Sequence, residues 1–230
     1  MTSMKAIRRF KVQQPKSLVT IVEERLRKAI IDAEMRFGEA LSEDALSSAL
    51  GVSRTPVREA LARLQLQGLV TIVPKKGTFV FAPTAEDVAE LCTFRFMLET
   101  NALRECLAAA REATLDGMAS AIAAMDAAQA SGTRHDYARA DTGFHEVFFL
   151  HCGNRYLGNA YRSVSGRVAA LRTHLSVPLE GEQARSMSEH RLMVEAFANG
   201  RLADLDGLLR QHILRARDAY GDVLRRASAG

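Results

Sequence analysis

The sequence predicts a mainly α protein in two parts: three helices and a β-hairpin at the N-terminus, then an all-α bundle of six helices. Three observations lead there. Apolar residues recur at helical spacing along nearly the whole chain. β-type runs stand only at 69–73 (LVTIV) and 78–81 (TFVF). Charge is divided as well: residues 1–82 hold 14 Lys and Arg against 8 Asp and Glu, or +6, while residues 83–230 hold 17 against 19, or −2. Attraction to polyanions therefore belongs to the N-terminal part. A chain of 230 residues, 47% hydrophobic and 25% charged, can build two soluble domains with separate cores. The boundary is expected between residues 82 and 83, giving domains 1–82 and 83–230.

The first helix is expected over 16–34, where Leu18, Ile21, Val22, Leu26, Ala29 and Ile30 fall three and four apart. A short second helix runs from Ser42, its N-cap, to a stop at Gly51. Ser53 is expected to cap a third helix over 54–67; Pro56 falls in its first turn, where a missing N–H costs little, and Gly68 ends it. The two β runs flank Pro74-Lys75-Lys76-Gly77, a hairpin with a basic tip. Thr84 and Asp87 then have the spacing of a capping box. Six helices are expected at 84–111, 114–131, 135–152, 155–175, 184–199 and 202–227, with breaks at Gly132, Gly153, Pro178/Gly181 and Gly200. The Ala-rich stretch 119–130 keeps a helical period through Ile122 and Met125, which implies close helix packing.

No apolar run approaches the roughly 20 residues that span a bilayer. The N-terminal Lys5, Arg8, Arg9 and Lys11 precede no apolar core of a secretory signal, so a cytoplasmic protein with no membrane contact is expected. Cys92 and Cys106 stand 14 residues apart in one expected helix, roughly 21 Å, too far for a disulfide. With Cys152 they read as small buried hydrophobes.

Helix, short helix, three-residue turn, helix and basic hairpin is the order of a winged helix-turn-helix, whose second motif helix enters the major groove. At ~100° per residue, Val57, Ala60, Leu61 and Leu64 form one apolar stripe, while Thr55 and Arg58 point away from it. Arg54 and Arg58, one turn apart, suit a bidentate contact to guanine or a phosphate contact, and the N–H groups of Arg54 and Thr55 suit a phosphate. Taken alone, such a pair is more often a pair of solvated helix charges. The segment GVSRTPVREALARLQLQGLV at 51–70 resembles the signature of the GntR family of bacterial regulators, and the resemblance continues through the hairpin to Phe81. It implies that Ser53, Arg54, Thr55 and Arg58 meet the operator, that Gly77 lets the wing approach the minor groove, and that Lys75 and Lys76 reach phosphates. Two departures stand out: Asp44 where the family often has a basic residue, which removes a phosphate contact, and Phe37-Gly38 in place of Pro-Gly.

Asp141 and His145 stand at i and i+4, hence on one helix face, and His190 and His212 come from two later helices. One carboxylate and three imidazoles make a ligand set suited to zinc, nickel, manganese or iron; each histidine by itself is more often a surface or satisfied core residue. The six helices over about 84–225 resemble the FCD domain of the FadR branch of the GntR family. That resemblance implies that Asp141, His145, His190 and His212 bind one divalent metal, zinc first among candidates. His135, His151 and His174 are expected to be bystanders. Arg95 and Arg172 each suit an effector carboxylate if they face one cavity, and surface positions otherwise.

The expected function is that of a homodimeric regulator, a repressor on an inverted-repeat double-stranded DNA operator, controlled by a small carboxylate effector at the metal site. A metal-dependent enzyme is the alternative, although no Ser, Cys or Glu stands in a recognisable nucleophile or base motif. A fatty acyl ligand in place of metal and small acid is a third reading.

Overall fold

The computed structural model describes residues 16–132, 134–176 and 181–229. Lys5, Arg8, Arg9, Lys11 and the expected break at Pro178 lie outside the described residues. Helix α1 (Leu18–Ile31) begins at Ser17, whose hydroxyl accepts from Thr20 N, and buries Val22, Leu26, Ala29 and Ile30. Leu18 and Ile21, counted in the expected stripe, are each 49% exposed. Ile21 lies more than about 100° round the helix from the centre of the buried stripe, and Leu18 belongs to the first turn.

A third strand, absent from the sequence expectation, precedes the second helix. It is β1 (Ala40–Leu41), followed by α2 (Glu43–Leu50), α3 (Arg54–Leu66), β2 (Val70–Val73) and β3 (Gly77–Val80). The antiparallel sheet has the order β1-β3-β2, with Ala40 opposite Phe79 and Val70 opposite Val80. Two residues are too few to show alternation, which is why β1 left no sequence signal. Ser42 caps α2 through Ala45 N, and Gly51 ends it in the left-handed region at φ 65°. Ser53 departs from expectation: it precedes α3 but its side chain makes no cap hydrogen bond, and it stays exposed. The apolar stripe of α3 is as expected, with Val57, Ala60, Leu61 and Leu64 all buried. At the hairpin tip, Lys76 N donates to Val73 O, and Lys75 takes φ 62° after Pro74. That is a type II pattern with lysine where glycine is favoured.

The helical part comprises α4 (Ala85–Ala109), α5 (Arg111–Ser131), α6 (Arg134–His151), α7 (Arg155–Leu171), α8 (Glu182–Ala198) and α9 (Leu202–Ala229). The Thr84–Asp87 capping box is formed. In place of the expected helix through residue 175, α7 passes into a π-helical turn, Arg172–Ser176. Met118, Met125, Phe144, Phe148, Met193 and Phe197 are fully buried in the centre of this core. Cys92, Cys106 and Cys152 are buried and unbridged. A second core holds Leu26, Ile30, Leu61, Leu64, Leu69 and Val80, and Ala170 of α7 is part of it, so α7 touches both parts.

Helices α5 and α6 pack against each other, closely enough at Gly117 that an added Cβ would lie 2.8 Å from Val147 Cγ1. Valine in a helix has little rotamer freedom with which to yield. Gly117→Ala should lower stability by about 1–3 kcal/mol, and adding Val147→Ala should restore part of that loss in denaturant unfolding.

Candidate metal centre and nucleic-acid interface

Ser53, just before α3, and Arg54, Thr55 and Arg58 on α3 are all exposed, as are Lys75, Lys76 and Gly77 at the hairpin tip. Gly77 has φ 124°, a conformation closed to side-chain-bearing residues in practice. The two arginines are not free. Arg58 Nη2 donates to Glu43 Oε2 at 2.9 Å and its Nε lies 3.2 Å from both carboxylate oxygens, and Arg54 is in ion contact with Asp44. Glu43 and Asp44 form the first turn of α2. The hydrogen bond from Arg58 lowers the Glu43 pKa, and Glu43 raises that of Arg58. The sequence marked Asp44 as a lost phosphate contact; its structural role is to hold Arg54, and Glu43 was missed.

The expected metal ligands come from three helices: Asp141 and His145 from α6, His190 from α8 and His212 from α9, all buried. One ring nitrogen from each of His145, His190 and His212 lies within 4.8 Å of the others. His145 Nε2 and His190 Nε2 are 3.3 Å apart. Asp141 is beside this triad, 3.8 Å from His145 Nε2 and 3.9 Å from His190 Nε2. Its carboxylate is also engaged elsewhere: Arg172 Nε stands 2.5 Å from Oδ1, out of line for a hydrogen bond, and Ser186 Oγ donates to Oδ2 at 3.0 Å.

Two buried glutamates that sequence reasoning missed orient the rings. Glu99 accepts from Arg95 Nε at 2.5 Å and from His145 Nδ1 at 2.8 Å. Glu189 accepts from His212 Nδ1 at 2.7 Å and from Arg215. An ionised carboxylate can only accept, so the ring protons sit on Nδ1 and the Nε2 lone pairs of His145 and His212 are left for the shared centre. The i, i+4 spacing of Arg95 and Glu99 was a signal available in the sequence; Glu189 gave none beyond its adjacency to His190.

The electrostatics keep the donors ready. Burial, then the charges of Arg95 and Arg172, hold His145 well below the ordinary histidine pKa. Burial brings His190 down to about 3 against the opposing pull of Asp141. Burial alone would raise the carboxylates, but Arg172 with the three rings brings Asp141 far below the carboxylate range, and His212 with Arg215 brings Glu189 to about 2. His145 and His190 are thus neutral, and Nδ1 of His190 is buried without a hydrogen-bond partner. Converging neutral imidazoles beside an ionised carboxylate are a donor set that fits a divalent cation.

Arg95 and Arg172 do line one small cavity with Tyr137, Asp141, Arg215 and Tyr220, of about 30 Å³. Both are buried, and Arg95 Nη2 has no hydrogen-bond partner. His135 is exposed and His151 half-buried at the end of α6, apart from the triad. His174 is also apart from it, but is not idle: its ring stacks on Phe37 at 3.9 Å.

Comparison with known proteins follows the same division. Residues 18–80 match the model of bacterial regulatory proteins of the gntR family, and residues 90–215 match the FCD domain. The HTH-type transcriptional regulator YdhC of Bacillus subtilis (strain 168) is 28% identical over 187 residues, 81% of this chain and 83% of that one. The gluconate operon transcriptional repressor of the same organism is 23% identical over 203 residues, 86% of this chain and 83% of its own. A crystal structure of a GntR transcriptional regulator from Rhodococcus sp. RHA1 superposes with a TM-score of 0.77 at 27% identity, covering 88% of this chain and 96% of that one. These relatives are transcription regulators, which removes the enzyme alternative. The chain belongs to the GntR family: it is a DNA-binding transcription regulator with an FCD domain as its C-terminal part.

Proposed function

We propose that this regulator, acting as a repressor, changes its operator affinity when a small carboxylic acid binds beside a divalent metal ion held by Asp141, His145, His190 and His212. The observation that carries the reading is the convergence of three buried imidazoles, two of them fixed through Nδ1 by Glu99 and Glu189. When bound, such an ion supplies a Lewis-acidic centre with open positions for an oxygen donor; zinc suits three nitrogens and one oxygen best. Around the cavity Arg95, Arg172 and Arg215 face Glu99, Asp141, Glu182 and Glu189, three positive charges against four negative. A divalent ion turns that excess of one negative into an excess of one positive, and an acid's carboxylate answers it. Arg95, with Nη2 unpartnered, and Arg172 are the residues proposed to receive the acid. A gluconate operon transcriptional repressor among the relatives supports the repressor role. A fatty acyl chain is disfavoured, because a cavity of about 30 Å³ is too small to take one.

On the DNA side, the reading assigns Ser53, Arg54, Thr55 and Arg58 to the major groove, Lys75 and Lys76 to phosphates and Gly77 to the wing's approach. The domain boundary is placed between residues 82 and 83. One recognition helix reads only a few base pairs, so a homodimer on an inverted repeat is proposed. No described helix is long and apolar enough to cross a membrane, and binding to chromosomal DNA supports a cytoplasmic protein.

Purification without chelators should yield about one metal per chain by elemental analysis. His190→Ala and His212→Ala should lose it, while Glu99→Gln and Glu189→Gln should weaken metal affinity about 10–100-fold. Wild type without metal, and with no thermal gain from zinc, nickel or manganese, would refute the centre.

In footprinting, Arg58→Ala should lose preference for the operator over other DNA. Lys75→Ala should weaken all sequences alike and flatten the salt dependence by about 0.9 in logarithmic slope. An unchanged footprint for folded Arg58→Ala removes its role. Light scattering at micromolar concentration should give a dimer; a monomer that still binds an asymmetric half-site tightly contradicts the symmetric reading.

A further inference from the structure

The π-helical turn Arg172–Ser176 presents neighbouring side chains to two different parts of the molecule. A π turn takes an extra residue per turn and so redirects the side chains that follow it, a device recurrent at functional sites. Arg172 reaches α6: Nε stands 2.5 Å from Asp141 Oδ1 and Nη1 donates to Thr142 Oγ1 at 3.0 Å. His174, two residues on, reaches the N-terminal part: Nε2 donates to the carbonyl of Ile30 at 2.7 Å, and the ring lies parallel to Phe37 at 3.9 Å with 8° between planes. Phe37 packs edge-on against Phe81 at 4.8 Å, and Phe81 N donates to Leu69 O, next to the end of α3. Gly38 N donates to Val80 O in the wing sheet. The turn is tied to α7 by the hydroxyl of Thr173 on Ala169 O, and Ala170 is buried in the N-terminal core.

Other polar contacts cross this junction, and they are longer. Arg139 pairs with Asp32 at 3.3 Å from an exposed position, and Arg27 meets Ser165 at 3.5 Å. The short, stacked contact is that of His174.

We infer that His174 and Phe37 are positioning residues for DNA reading, which set the recognition helix and wing against the helical part and take that setting from the Arg172–Asp141 contact. The inference rests on the proposed ligand site for its trigger alone. Asp141 is both the partner of Arg172 and a proposed metal ligand, so filling the centre changes what Arg172 faces. Such a differential contact is what coupling between two sites requires.

A double-mutant cycle read by amide hydrogen exchange on the full chain tests the link without any ligand. Arg172→Gln should speed exchange over residues 30–38, and His174→Ala should do the same. The combined variant should exchange there no faster than His174→Ala alone, because both act through one path. His174→Phe, which keeps the stack and loses the hydrogen bond, should recover part of the protection. Melting curves check folding, and Asp141→Asn replaces Arg172→Gln if the latter fails to fold. Additive effects, or an Arg172→Gln effect confined to α6 and the turn, overturn the inference. A second arm adds zinc to chelator-stripped protein. Slowing at the ligand-bearing helices and at 30–38 in wild type, with only the latter lost in His174→Ala, supports it. Slowing at the ligand helices alone in wild type overturns the link and leaves the metal reading standing. No zinc uptake sinks the metal reading, while the cycle still decides the link.

Discussion

A carboxylate taken out of water has to be paired, and that requirement orders the whole helical half. Glu99 is fully buried and is paired with Arg95 one turn before it and with His145 from another helix. Glu189 is held between His212 and Arg215, and Asp141 between Arg172 and Ser186. Each acid has at least one partner on another helix, so the acids act as bolts as well as charges. Removing one partner of such a pair commonly costs about 3–5 kcal/mol, because the other charge is stranded. The same pairings choose the tautomers of His145 and His212, and so make a donor set out of what would otherwise be satisfied core histidines.

In water the same chemistry has a different value. The Arg58–Glu43 and Arg54–Asp44 pairs lie on the open face of α3, where solvent screens them. Pairs of this kind orient a side chain without committing it. A guanidinium held near its working rotamer but weakly bound is available to a phosphate or a base edge, whereas buried Arg95 and Arg172 cannot leave without stranding Glu99 and Asp141.

Much of the fold was legible because its signals are local. The stripe Val57, Ala60, Leu61 and Leu64, the Thr84–Asp87 box and the glycine stops at Gly51 and Gly132 each follow from residues within two turns of one another. The donors Asp141, His145, His190 and His212 were nameable, but from sequence they form an equal tetrad, whereas Asp141 is largely held by Arg172. Glu99 and Glu189 were not nameable, since a glutamate's burial depends on partners 46 and 23 positions away. Strand β1 was too short to show a period, and nothing in RTHLS forecasts a π turn. Ser53 shows the reverse failure: the right residue type stands at the right position, yet its hydroxyl makes no cap bond.

The two-residue strand β1 has a mechanical effect out of proportion to its length. Val80 N donates to Glu39 O, and Gly38 N to Val80 O, so the wing is sewn to the segment that leads directly into α2, and α2 carries the two acids that hold the α3 arginines. In the proposed complex the wing and the recognition helix therefore behave as one stiff die and not as two hinged fingers. A duplex whose major groove suits α3, but whose neighbouring minor groove is the wrong width for the wing, cannot be accommodated by a local flex of the hairpin. The mismatch falls on the DNA as bending or twisting energy, which makes base pairs that the protein never touches part of its selectivity.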